Sequence, residues 1–323
     1  MKEVVWGIIG CGNVTEVKSG PAFNLAKNST LLAVMRRDKD KAKDYAERHN
    51  VAEYYDSADA IINHPKINAV YIATPPSTHL QYALKVLAVN KNVYLEKPMT
   101  FNSGEAILLE DALENSTSKL TVAHYRRRLP MFLEIKRLID EKVLGDINSV
   151  NVKMFQARRA AFVADSESNW RINPAISGGG YFNDLAPHQL DLLLFWFGDV
   201  SDFSGRSSIE NSKPNVASKV SGVLNFKNGI SCKGNWNFIA DEAEQIDECY
   251  ISGTKGSVAF PFFGNEIVLE FNGKREVQKF EHPMHIQQPM IQATVNYFLE
   301  KGDNPCTVED GLKGMRIIDA FIN

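Results

Sequence analysis

The residues best placed to do chemistry lie in one stretch of the chain: Trp170-Arg171, then Gly178-Gly179-Gly180, then Asp184, His188 and Asp191. Positions 184, 188 and 191 share one face if the stretch is helical. An imidazole one turn from a carboxylate is an acid/base group tuned near neutral pH. The three glycines before it allow another backbone or a bound cofactor to come close. A capping network is the plainer use of the same residues. Pro187 predicts a helix that is kinked there or starts late. No further His/Cys/Asp cluster accompanies them, so no metal site is expected.

Further candidates stand at the ends of short apolar runs. Gly10-x-Gly12-x-x-Thr15 follows the run 4–9. Gly10 permits a tight turn, and Gly12 lets a diphosphate approach the backbone. Asn13 and Val14 open the following helix, whose N–H groups face that diphosphate. Thr15 replaces the third small residue of such a turn. Arg36-Arg37 follows the run 31–35, and two guanidinium groups suit the 2′-phosphate of NADP. Asp38 beside them is the alternative, an acid for a ribose 2′-OH. NADP is therefore preferred over NAD. Thr74, Pro75 and His79 follow the run 69–73, where a doubly wound sheet binds ligands. Glu96-Lys97-Pro98 follows 92–95, and a lysine fixed there by proline can aim its ammonium at a reacting oxygen. Each of these has an ordinary use as well: tight packing, helix caps or solvated charge.

Such residues need elements to position them. Strands at 4–9, 31–35, 69–73, 92–95 and 120–123 alternate with helices at 13–27, 38–49, 56–63, 77–90 and 103–115. That alternation predicts an α/β domain with a doubly wound parallel sheet. After residue 122 the pattern changes. A helix at 130–142 is followed by strands at 147–158, 217–226, 230–239, 248–253, 257–263, 266–272 and 275–281, with Asn228-Gly229 as a hairpin turn. Helices at 286–300 and 308–321 complete an α+β second domain with a large, mostly antiparallel, open-faced sheet. The expected domains are 1–122 for the dinucleotide and 123–323 for substrate binding and oligomerisation. An open sheet face must be covered, and a homodimer or homotetramer is one solution.

Composition excludes several classes. The 36 Lys and Arg against 39 Asp and Glu leave a net charge of −3, which gives no bulk grip on nucleic acid. No apolar run approaches the roughly 18 residues of a membrane span. MKEVVWGIIGCG reads as a first strand rather than a signal peptide, so the expected location is cytoplasmic. Cys11, Cys232, Cys249 and Cys306 are scattered, with no C-x-x-C pair, and read as ordinary thiols.

GIIGCGN, ATPPSTH, YLEKP and GGGYFNDLAPHQLD, in that order, resemble the glucose–fructose oxidoreductase/inositol dehydrogenase (Gfo/Idh/MocA) family over essentially the whole chain. The resemblance implies a Rossmann domain followed by an α/β domain, and NAD(P)-dependent hydride transfer on a sugar, polyol or related hydroxy/keto compound. It implies a catalytic set of Lys97, Asp184 and His188, with a cis peptide before Pro98. It makes Trp170 and Arg171 cofactor contacts, and Tyr125 and Arg126 shapers of the substrate site. Oligomers through the open sheet face are common in the family. Two other readings stand beside the enzyme. One is a dinucleotide-binding sensor without turnover, which the family also contains. The other is a dehydrogenase of aromatic dihydrodiols, with Phe155, Phe162 and Trp170 lining an apolar pocket. The presence of all three catalytic residues favours the sugar-type enzyme over the sensor.

Overall fold

The computed structural model describes residues 2–157, 169–209 and 215–322. They divide into two compact units. The first holds residues 2–125 and 283–315, the second 126–157, 169–282 and 316–322.

The first unit is built on β1 (Val4–Ile9), α1 (Ala22–Leu25), β2 (Ser29–Met35), α2 (Lys39–Arg48), β3 (Glu53–Tyr55), α3 (Ala58–Ile62), β4 (Ala69–Ile72), α4 (His79–Ala88), β5 (Asn92–Leu95), α5 (Ser103–Glu114) and β6 (Leu120–Val122). The strands form a parallel sheet in the order β3-β2-β1-β4-β5-β6. This is the doubly wound Rossmann order, and the direction of winding reverses between β1 and β4. The central strands are apolar without alternation because both faces are covered. β4 is buried throughout.

Two local expectations changed. The helix expected over 13–27, with Gly20 and Pro21 interrupting it, is a π-helical turn, Thr15–Ser19, followed by the single turn of α1, and the break falls at Gly20 and Pro21. Thr15 tightens the first of these turns. Its hydroxyl donates to the Gly12 carbonyl (2.7 Å), and its own carbonyl accepts from the Gly20 N–H (3.0 Å) and the Tyr45 hydroxyl (2.9 Å). β3 was not expected. It has three residues, too few to show a period.

The second unit contains α6 (Pro130–Asp140), β7 (Ile147–Phe155), α7 (Pro174–Ser177), α8 (Tyr181–Phe197), β8 (Val200–Ile209), β9 (Ala217–Phe226), β10 (Ser231–Asn237), β11 (Ile246–Gly253), β12 (Ser257–Phe260), β13 (Glu266–Phe271) and β14 (Lys274–Lys279). Its sheet runs β14-β13-β12-β11-β7-β10-β9-β8. β7 and β10 pair in parallel, and the other neighbours are antiparallel. Val150, Val152, Met154, Cys232, Trp236, Cys249 and Ile251 are buried on one face. Alternate residues on the other face, including Lys153, Arg206, Lys219 and Lys233, are exposed. β8 escapes the sequence pattern because it is an edge strand of mostly polar residues, VSDFSGRSSI.

Two helices close the chain, α9 (Gln288–Phe298) and α10 (Val308–Ile322). α9 completes the core of the first unit, where Phe298 lies 5.6 Å from Trp6 between ring centroids. Trp6, Phe23, Tyr71 and Tyr94 form the rest of that aromatic cluster. Among the described residues no helix is long and apolar enough to cross a membrane.

Candidate active site

In the first unit, the carboxyl ends of β1, β2, β4 and β5 carry the predicted residues. Gly10 has φ +96°, and a Cβ there would meet Thr74 Cγ2 at 2.9 Å and the Ala73 backbone at 3.0 Å. Glycine is thus what lets the turn after β1 lie against the end of β4. Gly12 is open by contrast: a Cβ there would meet nothing nearer than the Gly10 oxygen at 4.0 Å. Thr15 is fully buried and turned inward, so its replacement of a smaller residue leaves the open side of Gly12 unchanged. Arg37 is exposed and Arg36 half-buried after β2. Asp38 accepts from the Lys41 N–H (3.1 Å) as the N-cap of α2, the role its sequence position predicts.

His79 is fully buried. Its Nδ1 lies 2.9 Å from the Pro98 oxygen and its Nε2 2.7 Å from the Thr74 oxygen. Burial lowers its pKa, partly opposed by those carbonyl groups. The ring therefore joins the loop after β4 to the turn after β5. Thr78 adds to the same loop, its hydroxyl 2.8 Å from that of Thr74. It stands at the N-cap of α4, one of the two cap positions (Ser77 or Thr78) that the sequence offers, but no side-chain capping bond forms.

Glu96 is also buried, and both carboxylate oxygens are engaged. Oε1 accepts from the Tyr71 hydroxyl (2.5 Å) and from Gln287 Nε2 (2.8 Å), and Oε2 accepts from the Lys97 N–H (3.1 Å). The Lys97–Pro98 peptide is cis, as the family resemblance implies. Lys97 itself is half-buried at the strand end.

In the second unit, α8 starts at Tyr181 and runs through Pro187, rather than starting after it. Asp184, His188 and Asp191 all lie on this helix, but their partners separate their roles. Asp184 Oδ2 accepts from Arg171 Nε at 2.7 Å, and the Arg171 guanidinium lies 4.5 Å from the Trp170 ring centroid. Asp191 is clamped by Arg127, with Nε and Nη2 within 2.8–3.0 Å of the carboxylate and both side chains buried. Asp191 is therefore a structural anchor for the helix. His188 is buried, and its ring meets Phe263 edge-on at 5.9 Å. Phe263 is held from two sides: Arg126 lies over its ring at 4.2 Å, and its N–H donates to Asp247 at 2.7 Å. Burial pushes the Asp247 carboxyl up to about 6, against the pull of the Phe262 and Phe263 N–H groups and of Arg126.

Two of the three glycines are packed against side chains of the second unit itself. A Cβ at Gly179 would fall 2.2 Å from Asn183 Oδ1, and one at Gly180 would fall 2.8 Å from Val216. The close approach is made by the protein's own side chains. Arg126 is likewise turned inward, donating to the Phe262 carbonyl at 2.5 Å. Tyr125 is buried in the turn Tyr125–Arg128. Phe162 lies outside the described residues, as do Arg158 and Arg159, which with Arg126 to Arg128 are the arginines the sequence offers either to an acidic or phosphorylated substrate or to surface and structural roles. Phe155 lines a groove on the sheet with Arg206, Lys219 and Asn235.

Sequence reasoning missed Tyr71, Gln287, Phe263 and Asp247, and it singled out Arg127 without finding its partner Asp191. A signal existed for Tyr71 and Tyr94: hydroxyls inside fully apolar strands must find buried partners. Among the described residues no group of three or more His, Cys, Asp or Glu is placed to hold a metal.

With this geometry in hand, comparison with known proteins is decisive. The profile of the oxidoreductase family with an NAD-binding Rossmann fold (Gfo/Idh/MocA) matches residues 4–124, and that of the Gfo/Idh/MocA C-terminal domain matches 132–259. Oxidoreductase P35 of Formosa agariphila is 52% identical over 99% of this chain and 98% of its own length. The chain belongs to the Gfo/Idh/MocA family of oxidoreductases. Among Gfo/Idh/MocA relatives, a scyllo-inositol 2-dehydrogenase (NADP(+)) of Bacillus subtilis is 30% identical over 59% of this chain and 51% of that protein. The structure of a levoglucosan dehydrogenase in complex with NADH and levoglucosan has the same fold, with a TM-score of 0.85 at 22% identity over 99% of this chain and 96% of that one. The residues of the first unit fit the dinucleotide of this Gfo/Idh/MocA fold. The open side of Gly12 lies at the reversal of strand order, where a diphosphate binds.

Proposed function

We propose that the protein is an NAD(P)-dependent dehydrogenase or reductase acting on the CH–OH group, or the corresponding carbonyl, of a sugar, polyol or related compound. The observation that carries this reading is the carboxyl edge of the parallel sheet. There an open glycine turn stands with a lysine whose turn is held by Glu96 at the Lys97 N–H and by His79 at the Pro98 carbonyl. The bound nicotinamide would supply or accept the hydride. Gly10, Gly12, Asn13 and Val14 hold the diphosphate, and Thr74, Pro75, Trp170 and Arg171 line the rest of the cofactor's path. Glu96 and His79 act on that path by fixing the turn that carries Lys97.

In the oxidation direction the hydroxyl carbon loses a hydride and its oxygen loses a proton. His188 takes that proton, and Lys97 donates a hydrogen bond to the same oxygen as negative charge develops. Asp184, fixed by Arg171, favours the charged imidazolium. Tyr125 and Arg126 shape the substrate site, Arg126 through Phe263.

NADP is the preferred cofactor in this reading. Arg36 and Arg37 supply two guanidinium groups, while one oxygen of Asp38 is engaged in capping α2. The four cysteines are buried and form no disulfide, and burial pushes Cys11 up to about 12. Inert thiols of this kind suit a cytoplasmic protein. We assign the exposed face of the eight-stranded sheet to a homodimer or homotetramer, which sedimentation would reveal.

The test is a panel of aldoses, ketoses and polyols with NADP and NAD, followed by nicotinamide absorbance. Turnover of at least one substrate is expected, with NADP the better acceptor. Full turnover by Lys97→Ala or His188→Ala would refute the assigned roles.

A further inference from the structure

Gln287 lies 190 residues after Lys97 in the sequence, at the N-cap of α9. It is fully buried, and both ends of its amide are used. Nε2 donates to Glu96 Oε1 at 2.8 Å, and Oε1 accepts from the Tyr94 hydroxyl at 3.3 Å. Its backbone N–H donates to the Lys18 carbonyl at 3.1 Å, just beyond the glycine turn. Neighbouring His285 makes a parallel contact, its Nδ1 2.6 Å from the Val17 oxygen.

Glu96 is the link to Lys97. A carboxylate buried in a sheet must have its lone pairs satisfied. Tyr71 and Gln287 satisfy one oxygen and leave the other aimed at the Lys97 N–H. Burial holds the Tyr71 and Tyr94 hydroxyls well above their usual pKa, so both remain donors at any working pH. On the far side of Lys97, the Pro98 carbonyl is held by His79. With the peptide before Lys97 held by Glu96 and the peptide after Pro98 held by His79, the two-residue span between them restricts the direction of the Lys97 Cα–Cβ bond.

We propose that Gln287 is a positioning residue for Lys97, acting through Glu96, and that it ties the lysine turn to the segment following the glycine turn. The side chain serves Lys97, and the backbone N–H serves the glycine-turn segment. These two functions are separable. The catalytic half of the proposal rests on the hydride-transfer reading above, but the geometric half does not.

Gln287→Leu removes the donor and the acceptor while keeping the backbone N–H. Amine labelling of Lys97 with acetic anhydride, read by peptide mass spectrometry against Lys85 and Lys136 as internal standards, reports its positioning without turnover. Labelling of Lys97 is expected to rise at least threefold in Q287L. With a substrate from the panel, kcat should fall about tenfold, while KM and the Kd for NADP stay within twofold. In a Lys97→Ala background, Q287L should cause no further loss of kcat, because its effect passes through the missing lysine.

Unchanged Lys97 labelling, or losses that multiply in the double variant, would overturn the proposal. If Q287L does not fold, Gln287→Glu gives the same reading. Its carboxylate must share a proton with Glu96, so labelling and kcat should approach wild type at low pH and diverge as pH rises. A flat difference across pH would count against the proposal. If the wild type turns over nothing in the panel, the hydride reading fails, and the labelling arm still decides whether Gln287 positions Lys97.

Discussion

Lys97 stands at the end of a strand and is fixed through main-chain groups, whereas Asp184 and His188 stand on a helix that guanidinium groups hold. In the first unit Glu96 grips the peptide before Lys97, and His79 grips the peptide after Pro98. Neither bond draws on the ammonium. In the second unit Arg171 grips the Asp184 carboxylate itself, and Arg127 grips Asp191 one turn beyond His188. Fixing a backbone takes nothing from the hydrogen-bonding capacity of its side chain. Fixing a carboxylate uses part of that capacity but sets its orientation. In the proposed mechanism a hydrogen-bond-donating lysine suits the first arrangement, and an aspartate that orients a neighbouring histidine suits the second.

The largest expected effects come from removing the reacting groups in each region. Lys97→Ala and His188→Ala should each lower kcat by about 10²–10⁴-fold with dinucleotide affinity little changed, as steady-state kinetics with titrated NADP would show. A loss confined to one of them would mean that only one region supplies chemistry. Next comes Arg127→Met, which leaves Asp191 charged and buried without its fork. Breaking such a pair costs about 3–5 kcal/mol, so the urea midpoint should fall sharply. An unchanged midpoint would show that the arginine clamp does not hold α8.

Asp247 gives a smaller, pH-dependent contrast. Burial raises its carboxyl from 3.8 to about 6 in the folded state. The folded protein therefore binds that proton more tightly than the unfolded chain does. The resulting stabilisation is full below about pH 4 and is lost as pH rises through about 6. Asp247→Asn should flatten this decline between pH 4 and pH 7 by about 2–3 kcal/mol, measured by urea unfolding at each pH. Parallel curves for variant and wild type would contradict the burial argument. The smallest effect is at the cofactor's far end. Arg36→Ala should raise the KM for NADP about tenfold and leave that for NAD unchanged, roughly the 1–2 kcal/mol of one charge-assisted hydrogen bond. Equal changes for both cofactors would remove the 2′-phosphate assignment.

The two regions were unequally legible in the sequence. The parallel sheet, the glycine turn and Lys97 all follow from local patterns: an apolar run, then Gly-x-Gly, an arginine pair or Lys-Pro. The spacing of Asp184, His188 and Asp191 was legible in the same way, and α8 bears it out. What spacing could not supply was the partner of each. Arg127 and Asp191 are 64 residues apart, and Gln287 and Glu96 are 191 apart. No period or propensity links such pairs, because only the closed fold brings them together. Glycines announced a close approach at 178–180 but not that Asn183 and Val216 make it. β8 stayed hidden because an edge strand has little apolar alternation to show.

The most direct test of the central claim is the nicotinamide absorbance change when the NADP-loaded protein meets the sugar and polyol panel. The account predicts reduced dinucleotide with at least one substrate in the wild type, slowed by a factor of about 100 or more in Lys97→Ala at unchanged NADP affinity. Tight NADP binding with no reduction across the panel would contradict it and leave the dinucleotide-binding sensor as the better reading.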